Sequence, residues 1–186
     1  MIPRAFITEW TATAPWKSMD QVEQALVICR SLVELFSDDF LAENLAFRGG
    51  TAIHKLYLKP QARYSVDIDL VQTIAGPFGP VADKIQERLS FLGTPRKNQK
   101  ENNFTLVYRF EAEFQPFRQM KLKVETNCRE HDSVLGYKKF PLKSSQDGLA
   151  VPPKLPLTNS KSWQPLNFEH SISGAKEGIF MLSTKY

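Results

Sequence analysis

The sequence predicts an α/β (α+β) fold in which a small mixed β-sheet is flanked by helices. Three observations predict it. "SMDQVEQALVICRSLVELF" repeats apolar residues at helical spacing, "YSVDIDLV" alternates at strand spacing, and "NFTLVYRFEAEF" and "MKLKVETN" alternate again on either side of a short link. The segments follow one another as helix, helix, strand, helix, strand, strand.

Val22, Ala25, Leu26, Cys29, Leu32, Val33 and Phe36 form one apolar helix face, and Ser18 followed by Gln21 reads as the capping box that starts it. That helix is assigned to core packing. After the polar break "SDDF", a short helix is expected over "LAENL". The run "AFRGGTAIHKLYL" should pass through Gly49 and Gly50 into a helix from about Thr51 to Leu58, stopped by Pro60. In the next strand Ser65, Asp67 and Asp69 are expected on one face, with Val66, Ile68 and Leu70 on the other. "GPVADKIQERLSFLG" is an amphipathic helix closed by Gly93 and Pro95. The last two strands turn Phe104, Leu106, Tyr108, Phe110 and Ala112, and Met120, Leu122 and Val124, to one side, leaving Lys121, Lys123 and Glu125 on the other. The short link around Pro116 makes them antiparallel neighbours.

A chain of 186 residues, 42% apolar and 24% charged, has the composition of one globular domain. No apolar run nears the ~20 residues of a membrane span, and "MIPRAFITEW" lacks the basic and apolar regions of a signal peptide. A cytoplasmic protein without membrane partners is expected. Cys29 and Cys128 have no ligand-like spacing and read as reduced thiols. A net charge of +4 does not by itself imply nucleic acid, although basic residues gather between Lys84 and Lys143.

The chemistry lies in "FRGGTAIHKLYLKPQARYSVDIDLV". Asp67 and Asp69, two residues apart on a strand, point the same way and raise each other's pKa unless a cation intervenes. Mg²⁺ suits such a pair, completing its octahedron with water and substrate phosphates. That arrangement serves phosphoryl or nucleotidyl transfer. Glu125, facing away from the apolar side of its strand, is the candidate third carboxylate. Gly49 and Gly50 at a helix start let backbone N–H groups approach a phosphate. Thr51, Lys55, Arg63 and Ser65 lie close enough in sequence to help hold a triphosphate. Taken singly, a glycine pair is an ordinary turn and an acidic pair a solvated strand face; a helix joining the two makes the combination specific.

With these motifs in place, the chain from about Ile2 to Pro141 resembles the AbiEii/AbiGii toxin family, nucleotidyltransferases of the DNA polymerase β-like superfamily. The resemblance implies a nucleotidyltransferase fold and a Mg²⁺-dependent toxin of an abortive-infection, toxin–antitoxin pair. Such a toxin transfers a nucleotide from an NTP to a cellular acceptor, in some relatives the 3′ end of tRNA. It places Gly49, Gly50 and Thr51 on the nucleotide-binding turn, Ser65 before the metal pair, Asp67 and Asp69 on the pair, and Glu125 with Lys123 on the later catalytic strand. The cognate antitoxin is expected to act without touching the toxin.

The sequence departs from the family at Val66, where an acidic residue is usual; Val66 is expected on the apolar face with little effect on metal binding. The larger departure is a missing C-terminal helical region whose lysine and aspartate complete the family's site. Residues 143–186, rich in proline and serine, are expected to be an aberrant, poorly ordered tail. Read one frame away with permissive codons, much of this stretch resembles the missing region, so a frameshift near Lys143 is the reading adopted. His54 is expected to pack or face solvent, His131 fits the family pattern without a placeable partner, and His170 lies in the tail. The competing expectations are a catalytically impaired remnant that still binds NTP and metal, and a basic nucleic-acid-binding module without chemistry.

Overall fold

The computed structural model describes residues 2–58, 64–131, 136–141 and 177–181, with the backbone alone over 138–141 and 177–181. Helices α1 (Arg4–Thr11), α2 (Met19–Phe36) and α3 (Asp39–Asn44) lead into strand β1 (Leu45–Arg48). Helix α4 (Gly49–Leu56) and strand β2 (Asp67–Gln72) precede helix α5 (Gly79–Arg88) and a 3₁₀ turn at Ser90–Leu92. Strands β3 (Arg96–Lys100), β4 (Asn103–Glu111), β5 (Gln119–Asn127), β6 (Tyr137–Pro141) and β7 (Glu177–Met181) follow. The described strands form one mixed sheet in the order β3-β4-β5-β2-β1-β7-β6. β2 runs parallel to β5 and β1 parallel to β7, and the other neighbours are antiparallel.

The predicted α/β class with a mixed sheet and flanking helices is the one observed. One face of the sheet packs on the helices. Leu106, Tyr108 and Phe110 of β4, Leu122 and Val124 of β5, and Ile68 and Leu70 of β2 meet Leu26, Leu32 and Phe36 of α2 and Val81 and Ile85 of α5 in one core. At about 25 cal/mol per Å² of apolar surface, this burial is the main term holding helices to sheet. The opposite face of β3–β5 is polar, as the strand alternation requires.

Buried polar groups fix how α2 sits. Both Glu23 carboxylate oxygens accept the Glu113 backbone N–H (3.2 and 3.0 Å), and Gln24 Nε2 donates to Lys121 O (3.1 Å), so α2 holds the start of β5 and the chain just beyond β4. Arg30 lies over the Phe91 ring at 3.9 Å, and Arg88 Nε donates to Glu34 O at 3.0 Å, which ties α2 to α5.

Several elements depart from expectation for identifiable reasons. α1 has a single fully buried side chain, Ile7, and so lacks an apolar stripe in sequence. β1 is buried along Leu45, Ala46 and Phe47, which leaves no alternation to read. β3, "RKNQK", is exposed at every position and carries no apolar residue. Ser18 stands at the N-cap of α2 in extended conformation, but its side chain makes no capping bond. Val66 is 45% exposed, because β2 starts one residue later, and its apolar face begins at Ile68. Pro60 lies outside the described residues, as does the stretch from 142 onward apart from β7, which pairs with β1 and β6. No helix among the described residues is long and apolar enough to cross a membrane.

Burial pushes the Glu23 carboxyl above its ordinary value, with Glu113 and Asp20 adding repulsion and the Glu113 N–H opposing it. A raised folded-state pKa gives stability that is complete below the unfolded value and lost as pH rises through the folded one. Glu23→Gln removes that loss, so the variant's thermal midpoint relative to wild type should rise between about pH 4 and 7. A difference independent of pH over that window contradicts the assignment.

Candidate active site

Strand geometry assembles the site. Asp67 and Asp69 leave β2 on the same face, one pleat apart. The parallel partner β5 sets Lys123 beside Asp67 and Glu125 beside Asp69, and the antiparallel partner β1 sets Arg48 beside Asp69. Five ionisable side chains from three strands, distant in sequence, therefore converge.

The glycine turn closes over them. Gly49 opens α4 with φ +81°, a left-handed conformation costing an L-residue roughly 1–2 kcal/mol. Sterics are stricter still. A Cβ on Gly49 would press into Asp69 Oδ2 and come within 3.1 Å of Asp69 Cβ and Cγ. Only glycine lets the backbone rest against that carboxylate. Thr51 is buried and donates its hydroxyl to Asp67 Oδ1 at 3.5 Å. The first N–H groups of α4, from Gly49, Gly50 and Thr51, have no partner within the helix and suit an anion beside the carboxylates.

The electrostatics are those of a site awaiting positive charge. Burial raises the pKa of Asp69, Asp67 and Glu125 raise it further, and Lys123 and Arg48 only partly offset them. Glu125 is held from two sides: Asn103 Nδ2 donates to Oε1 at 3.0 Å, and Lys123 Nζ pairs with Oε2. The bond to Glu125 in turn raises the Lys123 pKa, with Asp67 and Asp69 adding to it. Among the described residues no three His, Cys, Asp or Glu side chains form a ready-made cation cluster. The donor set is the aspartate pair, with Glu125 one strand away. Two carboxylates, oxygen-only and short of positive charge, fit a hard divalent cation such as Mg²⁺ that takes its remaining ligands from water and substrate.

Gly49, Gly50, Thr51, Asp67, Asp69, Lys123 and Glu125 thus come together. Lys55 does not join them. It is 9% exposed, and its Nζ donates to Cys29 Sγ of α2 at 3.3 Å, so the expected triphosphate contact gives way to a contact with α2. Ser65 is buried two residues before Asp67, and Arg63 lies outside the described residues. His131 finds a partner after all, its Nδ1 lying 2.9 Å from Gln72 O.

Sequence reasoning missed Arg48, Asn103 and Glu130. Arg48 was visible beside the glycines, but only the β1–β2 pairing puts it at Asp69. Asn103 reaches Glu125 from the next strand, which nothing in the sequence signals.

Beyond Glu125 the polar face of the sheet continues as a groove of about 800 Å³. Arg96, Lys97, Lys100, Arg109, Lys121 and Lys123 line it against only Glu101 and Glu125. The groove is strongly basic and shares Lys123 and Glu125 with the site.

No curated protein sequence matches the chain. Among solved structures, JHP933 from Helicobacter pylori is similar at 13% identity and a TM-score of 0.45, covering 65% of this chain and 49% of that one. The nucleotidyltransferase toxin MenT4 from Mycobacterium tuberculosis is similar at 17% identity and a TM-score of 0.40, covering 69% and 44%. The chain thus spans about half the length of these structures. A family model described as nucleotidyl transferase AbiEii toxin, type IV toxin–antitoxin system, matches residues 30–153, two thirds of the sequence. The chain belongs to the AbiEii nucleotidyl transferase toxin family.

Proposed function

We propose that this protein is a Mg²⁺-dependent nucleotidyltransferase toxin that moves an NMP from an NTP to an RNA acceptor. The observation that carries the reading is the contact between Gly49 and Asp69, which sets an anion-binding helix start against a pair of half-buried carboxylates. A Mg²⁺–NTP complex satisfies both halves at once. Asp67 and Asp69 would hold the ion, which when bound neutralises phosphate charge. The first turn of α4 binds the phosphates through backbone N–H groups, and Thr51 keeps Asp67 in place.

The acceptor hydroxyl attacks the α-phosphorus, the bond to pyrophosphate breaks, pyrophosphate leaves, and the hydroxyl proton passes to solvent water. Glu125 and Lys123 stand on the side from which the acceptor arrives, where the basic groove opens. A groove of that charge suits a phosphodiester backbone. Family membership supports a cognate antitoxin, which we place outside direct contact with the toxin, and a cytoplasmic setting where NTPs and RNA are available.

Incubating the protein with labelled NTPs, Mg²⁺ and total RNA should transfer label to RNA, and Asp67→Ala or Asp69→Ala should reduce transfer to background. NTP binding without transfer would instead identify an impaired remnant of such an enzyme. Gly49→Ala should abolish transfer as completely as loss of an aspartate, since the new methyl displaces Asp69; an active, folded Gly49→Ala protein contradicts the proposed packing. Lys121→Ala, at the groove, should weaken RNA binding and lower the log–log salt slope by about 1 while leaving NTP binding unchanged.

A further inference from the structure

Arg48 and Glu130 form an ion pair that neither the glycine turn nor the metal pair explains. Arg48 closes β1, stands in register with Asp69 and immediately precedes Gly49. Its Nη1 lies 2.8 Å from Glu130 Oε2, and its guanidinium acts electrostatically on Asp69. The chain carrying Glu130 is fixed in place. Asn127 Oδ1 accepts the N–H groups of Arg129 and Glu130, both at 2.9 Å, and the neighbouring His131 is tied to Gln72 O at the end of β2. Glu130 therefore meets Arg48 from a pinned turn.

A guanidinium carries five N–H donors in a planar fork, and the bond to Glu130 engages one nitrogen. Glu130 can orient the group and still leave donors for an anion at the neighbouring glycine turn. The charges point the same way. Asp67, Asp69, Glu125 and Glu130 outnumber Lys123 and Arg48, and Lys123 is committed to Glu125. A triphosphate entering beside these carboxylates meets Arg48 as the cation next to the first turn of α4 in the chain.

We propose that Arg48 is a triphosphate-binding residue and that Glu130 is its positioning residue. The role rests on the nucleotide-transfer reading and adds to it a cation that binds the phosphates without the metal pair.

Calorimetric titration of a non-hydrolysable NTP and of the corresponding NMP, in Mg²⁺, tests it on wild type, Arg48→Ala, Arg48→Lys and Glu130→Gln. Arg48→Ala should weaken NTP binding by about tenfold or more and NMP binding far less. Arg48→Lys should recover part of the loss. Glu130→Gln, a half-exposed change, should weaken NTP binding severalfold with an unchanged thermal midpoint, and it decides the matter if Arg48→Ala does not fold. Equal NTP affinity in wild type and the folded variants, or equal losses for NTP and NMP, overturns the role of Arg48. Failure of the wild type to bind NTP overturns the nucleotide-transfer reading itself.

Discussion

Everything at this site depends on how closely the Gly49 backbone approaches the Asp69 carboxylate. The approach needs a residue without a side chain, a left-handed turn to bring the chain round, and a strand holding Asp69 in fixed register with its neighbours. Once these are met, the start of α4 and the carboxylate pair cannot drift apart. A helix end that favours anions is thereby held beside groups that favour cations. Neither is comfortable alone, because burial and like charge already raise the Asp69 pKa. A metal-bound polyphosphate, the ligand proposed above, would suit both.

The sheet supplies the precision. Parallel pairing of β2 with β5 brings Glu125 and Lys123 to the aspartates, and antiparallel pairing with β1 brings Arg48. A slip of one residue in either pairing would turn those side chains to the other face. Register is protected from the core side, where Ile68, Leu70, Leu122 and Val124 pack against the helices, and from the edge, where Glu23 and Gln24 of α2 clamp the β4–β5 connection. The hydrophobic layer thus specifies the positions of charged groups it never touches. The same alternation clears the outer face of β4 and β5 for basic residues, so the basic groove and the packed core are two sides of one pattern.

What the sequence revealed followed its periodicity. The stripe of α2 was legible because its apolar residues recur at helical spacing, although the helix is buried on nearly every side, and the alternation of β4 and β5 because each strand has one buried and one more open face. The glycine turn and aspartate pair were legible because their residue types are costly anywhere else. Hidden features were those without contrast: β1, buried at three successive positions; β3, exposed throughout; and α1, anchored by a single buried side chain. Val66 misled because alternation was extended one residue past the true start of β2. Lys55 misled because nearness along a helix does not decide which way a long side chain turns; here it reaches Cys29. Asn103 and Glu130 act through residues far away in sequence, and only the folded chain brings them to Glu125 and Arg48.

On the proposed function, Asp69 is kept at a cost to the free protein because Mg²⁺–NTP needs it. Thermal unfolding of wild type and Asp69→Asn, each with and without Mg²⁺–NTP, measures this directly. Asn preserves the shape against Gly49 while removing the half-buried charge, so the free variant should melt above free wild type. Mg²⁺–NTP should raise the midpoint of wild type by clearly more than that of the variant. A variant that melts lower when free, or responds to Mg²⁺–NTP as wild type does, contradicts the account.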